Sequence, residues 1–238
     1  MPISTFAVLP DEFNAATHFI DRHIADGQGP KVAIECEERH VTYQQLFEMV
    51  NRVGNSLRKL GVRIEERVFL LLFDTPEFAA SFFGAIKIGA VPVPVNTLLK
   101  PVDYGYLLND SRARVAIVSE ALLPLIKAIP RQNLRFLETV LVVGTEPWPG
   151  MVNFGDALSA SSPILDAAPT SKDDAAFWLY SSGSTGRPKA CVHLQHDMVV
   201  SSEAYAKSIL NITESDRCFS VSKLFFAYGL GNGLYFPL

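Results

Sequence analysis

Residues 180–189, Tyr-Ser-Ser-Gly-Ser-Thr-Gly-Arg-Pro-Lys, place four aliphatic hydroxyls, two glycines and two cations in one short stretch. Such a composition suits a polyphosphate. Gly183 and Gly186 let the backbone bend and present N–H groups to anionic oxygens. Ser181, Ser182, Ser184 and Thr185 add neutral donors, while Arg187 and Lys189 supply charge. The apolar run from Ala175 to Tyr180 reads as a buried strand, so the loop would begin at a strand end, where open α/β sheets bind ligands. A flexible Ser/Gly hairpin between two strands is the alternative that composition leaves open. The Walker pattern G-x-x-x-x-G-K-[ST] is absent, because Pro188 separates Gly186-Arg187 from Lys189 and Ala190 follows. A P-loop kinase or GTPase is thereby disfavoured.

A second stretch, residues 220–233 (S-V-S-K-L-F-F-A-Y-G-L-G-N-G), joins an aromatic cluster to three glycines. Phe225, Phe226 and Tyr228 are the right types to wall a pocket for a small organic ligand, with Ala227 and Gly229 leaving room. Core packing of an aromatic strand end is the competing reading.

The elements that must position these residues alternate. Val32–Cys36 and Arg39–Thr42 read as a hairpin, and Thr42 with Gln45 forms a capping box ahead of a helix that stops at Gly61. A strand is expected at 67–73, followed by a helix capped at Thr75-Pro76 and running to Ile88, apolar almost all round with Lys87 as its one cation. Further strands are expected at 91–95, 115–118 and 139–143, and helices at 102–109, 122–129 and 195–210. This order predicts an α/β fold of mainly parallel sheets covered by helices. Residues 1–30 read as an irregular arm. The Pro-, Gly- and Ser-rich stretch 144–171 reads as a linker or surface excursion, dividing a first subdomain (1–165) from a second (166–238) that carries both motifs.

Composition excludes several classes. A net charge of −4 over 238 residues, with no basic block, gives no footprint for nucleic acid. The N-terminal ten residues lack the cationic region of a secretory signal, and no apolar run approaches the length of a bilayer span. These features point to a cytoplasmic protein. Cys36, Cys191 and Cys218 are widely spaced, as expected for reduced thiols rather than a disulfide framework or zinc site. A homo-oligomer is compatible with everything above.

Residues 180–189 match throughout the Tyr-x-Ser-Gly-[Ser/Thr]-Thr-Gly-x-Pro-Lys signature of the acyl-adenylate-forming (AMP-binding) enzymes, and the sequence resembles that family. Ala190 replaces the usual following glycine, while Val192 and His193 keep the valine and histidine. The segment Lys223–Gly229 is similar to the family's acyl-pocket motif Pro-Leu-Phe-His-x-Tyr/Phe-Gly, with lysine for proline and Phe226 for the gating histidine. In this form it most resembles the benzoate–CoA ligases. Weaker matches at T-Y-Q-Q-L (42–46), Gly84-Ala85, Gly89-Ala90 and Pro94-Val95-Asn96 extend the likeness along the chain.

The resemblance implies a partial large N-terminal domain of an adenylate-forming enzyme. Its reaction would join an aromatic acid, benzoate in kind, to the α-phosphate of ATP and then pass the acyl group to coenzyme A. It implies that Ser181, Ser182, Gly183, Ser184, Thr185, Gly186 and Lys189 contact ATP, with Thr185 nearest Mg²⁺, and that Phe226, Ala227, Tyr228 and Gly229 line the acyl pocket. His193 is either an oriented polar group near the loop or a structural histidine. The family's adenine-binding segment, ribose-binding aspartate and adenylation lysine would lie beyond residue 238, so this stretch alone is expected to be inactive. Other acids (a hydroxybenzoate, cinnamate or fatty acid) and a non-catalytic binding module remain as alternatives.

Overall fold

A computed structural model of the chain describes residues 8–182 and 186–238. The chain opens with a π-helical turn at Thr17–Asp21 that runs into helix α1 (Arg22–Ala25). An antiparallel hairpin, β1 (Val32–Cys36) and β2 (Arg39–Thr42), leads into α2 (Tyr43–Lys59). The capping box forms as the sequence predicts: the Gln45 N–H donates to the Thr42 hydroxyl at 3.2 Å, and the Thr42 N–H donates to the Gln45 side chain at 2.9 Å.

Next come β3 (Arg67–Leu71), α3 (Pro76–Lys87), β4 (Val91–Pro94), α4 (Pro101–Ser111), β5 (Val115–Ser119), α5 (Leu123–Lys127) and β6 (Thr139–Val143). Together with β7 (Val152–Asn153) they form a parallel sheet of order β4-β3-β5-β6-β7. The strands are apolar on both faces because both faces are covered. Val68, Leu70, Val115 and Ile117 pack with α2 and α3, whereas Phe69, Leu71, Ala116 and Val118 pack with Tyr104, Leu107 and Leu108 of α4 and Ile126 of α5. Strand order reverses between β3 and β5. Ligands of open α/β sheets gather at the carboxyl ends of strands flanking such a reversal.

The stretch 144–171 differs from a plain linker. It contributes β7 and a short helix α6 (Phe154–Ser159), capped by the Asn153 side chain. Its remainder lies along α2, where Asn51, Arg52, Asn55 and Ser56 donate to carbonyls between Ala157 and Ile164.

From residue 11 onward the expected irregular arm is likewise held in place. The Phe13 N–H donates to the Thr170 carbonyl at 2.7 Å, the Ala15 N–H to Gln195 Oε1 at 2.8 Å, and the Lys172 ammonium pairs with Asp11. Lys87, fully buried, donates to Asp21 at 2.8 Å and to Asn51 at 2.7 Å while its ammonium lies 4.7 Å over the Phe47 ring. That cluster ties the opening turn, α2 and α3 together.

Last come β8 (Ala175–Ser181) and β9 (Lys189–Leu194), an antiparallel ribbon separate from the parallel sheet, then α7 (Gln195–Ser201), a π-helical turn (Ser202–Lys207) and the short α8 (Ala227–Leu230). The expected helix at 195–210 is therefore α only as far as Ser201. Phe177 packs on Phe82 of α3 with ring centroids 5.3 Å apart, so one apolar core runs from the sheet into the ribbon.

Candidate functional site

The hydroxyl-rich motif sits on the connection of the β8–β9 hairpin. Ser181 pairs with Lys189 as the last rung of the ladder. The loop begins at the end of β8 as the sequence predicts, and β8 belongs to an antiparallel ribbon outside the parallel sheet. The hairpin and the donor-rich loop are one and the same structure. Ser181, Ser182, Gly186, Arg187 and Lys189 are all exposed at this end of the ribbon. Gly183, Ser184 and Thr185 lie outside the described residues. Gly186 has φ +89° with open space around it, so glycine is required there by backbone conformation and not by crowding.

Both sides of the hairpin mouth meet α4. The Tyr180 hydroxyl donates to Asp110 Oδ2 at 2.7 Å, the Tyr106 hydroxyl donates to the Pro188 carbonyl at 3.2 Å, and the Arg187 guanidinium lies 5.5 Å over the Tyr106 ring. Burial, then the hydrogen bond to Asp110, raises the Tyr180 phenol above its ordinary pKa.

His193 lies within β9. Its ring stacks on Phe177 at 4.5 Å and 7°, and its Nδ1 is 3.5 Å from Asp197. Of the two roles open in the sequence, this packing favours the structural one.

The aromatic segment is anchored at the carboxyl end of β3. The Leu224 N–H donates to Asp74 Oδ1 at 3.2 Å, and Lys223 Nζ lies 3.6 Å from Asp74 Oδ2. Asp74 follows β3 at the reversal of strand order, where Phe73 N–H also donates to the Ser119 hydroxyl of β5 at 3.0 Å. Leu224 and Phe225 are buried, whereas Phe226 and Tyr228 are 50% and 69% exposed and Ala227 is exposed beside them. Gly229 is buried, and a Cβ there would stand 2.1 Å from the Lys223 carbonyl oxygen. Glycine at 229 thus admits the backbone of residues 222–223, where the sequence suggested a substrate ring.

No hydrogen bond or ion pair joins the two motifs among the described residues. A cavity of about 730 Å³ lies between the opening helical turns, the β1–β2 hairpin and residues 202–222, bordered by Asp74 and Leu224 but by none of the predicted site residues. Among the described residues no group of three or more His, Cys, Asp or Glu side chains could hold a metal ion. The carboxylate nearest the hairpin in the hydrogen-bond network, Asp110, already accepts from Tyr180. Thr185, the residue the sequence placed nearest Mg²⁺, lies outside the described residues. No helix among them is long and apolar enough to cross a membrane. Sequence reasoning missed Tyr106, Asp110 and Asp74. For Asp110 a signal existed, since a carboxylate in the last turn of a helix opposes the helix dipole.

A family model described as "AMP-binding enzyme" matches residues 21–238. Benzoate–CoA ligase of Thauera aromatica is 46% identical over 97% of this chain and 43% of its own length. A 4-hydroxybenzoate–CoA/benzoate–CoA ligase of Rhodopseudomonas palustris is 41% identical over 95% of the chain and 42% of its own length. Among solved structures, an anthranilate CoA ligase in complex with anthranoyl-AMP superposes with a TM-score of 0.94 at 40% identity, covering 98% of this chain and 44% of that one. The chain spans less than half the length of these relatives.

Proposed function

Because the chain belongs to the AMP-binding enzyme family, we propose that it supplies the phosphate-binding and acyl-binding segments of an acid–thiol ligase that activates an aromatic carboxylate, benzoate first, with ATP and coenzyme A. A carboxylate is a poor electrophile and its oxygen a poor leaving group. Joining it to the α-phosphate of ATP releases pyrophosphate and leaves AMP as the group that the thiol of coenzyme A displaces. Exposed hydroxyls and cations on the hairpin would hold the β- and γ-phosphates and offset the charge that grows as pyrophosphate departs. Phe226, Ala227 and Tyr228 would face the acid. In this reading residues 1–165 are scaffold and residues 166–238 carry both motifs. The protein works in the cytoplasm, where Cys36, Cys191 and Cys218, all free, stay reduced.

One observation carries the reading: Ser181, Ser182, Arg187 and Lys189 gather at one solvent-facing end of the ribbon, and neither cation has a carboxylate partner among the described residues. The test is acid-dependent ATP–pyrophosphate exchange by the full-length protein with benzoate, 4-hydroxybenzoate, cinnamate, acetate and a fatty acid. Exchange driven by benzoate supports the proposal; exchange driven by another acid keeps the chemistry and discards the assignment of the acid. No exchange from folded protein would favour a binding module. Lys189→Ala should raise KM for ATP by about 10- to 100-fold, the value of a lost charge-assisted hydrogen bond, with KM for the acid unchanged.

A further inference from the structure

We infer that Tyr106 and Asp110 of α4 are positioning residues that grip the two ends of the hydroxyl-rich hairpin and fix the direction in which its donors face. This rests on the hairpin being the polyphosphate site, as proposed above. The two side chains are four residues apart and so share one face of the helix. That face spans the hairpin mouth: Asp110 takes the hydroxyl of Tyr180, the last residue but one of β8, and Tyr106 reaches the carbonyl of Pro188, just before β9. Pro188 has no N–H, so its carbonyl is its only hydrogen-bonding group on the main chain, and Tyr106 satisfies it. The 2.7 Å contact between phenol and carboxylate has the separation of a well-formed hydroxyl–oxygen hydrogen bond.

Local helix energetics do not account for Asp110. Its carboxylate stands in the last turn of α4, which holds no basic residue and where the dipole disfavours an anion. Its 2.7 Å partner is Tyr180, on another element. The tyrosine in turn is a donor at any working pH, since burial raises its pKa.

The helix doing the gripping is itself braced. Arg67 of β3 donates from Nε to the Ser111 carbonyl at 2.6 Å and lies 5.3 Å over the Trp178 ring of β8. The end of α4, strand β3 of the parallel sheet and strand β8 of the ribbon are therefore tied together through Arg67. Tyr106 adds a further constraint by lying under the guanidinium of Arg187, one of the two cations of the motif. Loss of this grip leaves every donor present and only their alignment poorer, so the deficit belongs to nucleotide binding and not to the acid.

The test uses the full-length protein and the variants Tyr106→Phe, Asp110→Ala and Asp110→Asn. Pyrophosphate exchange gives KM for ATP, KM for the acid and kcat, and hydrogen exchange without nucleotide reads the amides of Ser181, Ser182 and Arg187. Tyr106→Phe and Asp110→Ala should each raise KM for ATP about tenfold, the equivalent of one hydrogen bond, while KM for the acid stays within about twofold. The three amides should exchange faster. Asp110→Asn keeps an oxygen that accepts from Tyr180 and should recover most of the loss. Tyr180→Phe combined with Asp110→Ala should be no worse than either alone, because the two residues act as one contact. Equal rises in both KM values, unchanged amide exchange, or failure of Asp110→Asn to rescue would each overturn the inference. If the wild type shows no exchange with any acid, the proposed function fails, and the amide measurements still decide whether α4 grips the hairpin.

Discussion

A single methyl group at position 229 should disable the acid side of the proposed reaction and spare the nucleotide side. In Gly229→Ala the new Cβ would stand 2.1 Å from the Lys223 oxygen, 2.5 Å from the Ser222 oxygen and 2.7 Å from the Lys223 carbonyl carbon. These are backbone atoms that cannot swing aside. Contacts of this kind open to at least 3.0 Å, so the carbonyl must retreat by about 1 Å. The Lys223 oxygen also accepts the Phe226 N–H at 3.0 Å, and Leu224 N–H holds Asp74 at 3.2 Å, so the displacement passes to both ends of the aromatic segment.

Overpacking costs about 1–3 kcal/mol, and a lost hydrogen bond adds about 1 kcal/mol. The better helix propensity of alanine returns about 1 kcal/mol. The net loss is about 1–3 kcal/mol, equivalent to a fall of roughly 2–12 °C in Tm for a chain of this size. Misplacement of binding groups by about 1 Å lowers kcat/KM for the acid by about 100-fold. Acid-dependent pyrophosphate exchange and a thermal melt on the same preparation read both numbers. An acid kcat/KM within about threefold of wild type, or an equal loss for ATP and acid, would refute this chain of reasoning.

Further tests address the scaffold. Lys87→Met leaves the Asp21 carboxylate and the Asn51 side-chain oxygen without their shared donor. Asp21 keeps 28% of its side-chain surface in contact with solvent, so the cost should fall at the lower end for a broken buried pair, about 3 kcal/mol, read as a lower urea midpoint. Asp21→Asn in that background should recover part of the loss, and a midpoint equal to wild type for Lys87→Met alone would contradict the buried-pair account.

The His18 ring, held neutral mainly by burial and also by the adjacent Arg22, has its pKa lowered from 6.5 to about 4. Its Nε2 accepts from Arg22 at 3.2 Å, a bond that protonation removes. The unfolded chain therefore takes up this proton first. Stability from this residue is complete above pH 6.5 and is lost as pH falls towards 4, by about 1–2 kcal/mol once partial solvent screening is allowed for. His18→Gln should flatten that part of the stability profile in denaturant titrations between these pH values, and an unchanged slope would count against it.

Elements whose residues state their own conformation were legible in the sequence. The Thr42–Gln45 box, Pro76 at the head of α3 and the unbroken apolar strands β3 to β6 follow from local chemistry and period. What escaped depends on partners distant in the chain. β7 is two residues long in a stretch rich in turn formers, and it exists because the edge of β6 offers it a ladder. The arm at 11–15 has little local preference and is ordered by contacts with residues 168–195. At the candidate site the donors of the hairpin could be read as types, but the hairpin itself required β9, whose alternation is blurred by exposed Val192 beside half-buried His193. Tyr106 and Asp110 were invisible as site residues because their partners lie more than 65 positions away.

The stitching of the arm has a consequence for the order in which the protein can be made. Ala15 waits for Gln195, 180 positions later, and Phe13 for Thr170, so no early intermediate can seat this segment. At about 5–20 residues per second, a ribosome would leave it without its partners for about 10–35 s. Over that interval Phe13, Phe19 and Ile20, all buried in the finished core, lack part of their cover. Synthesis therefore holds a sticky segment apart from the growing sheet, and the arm can be seated only after the start of α7 has emerged.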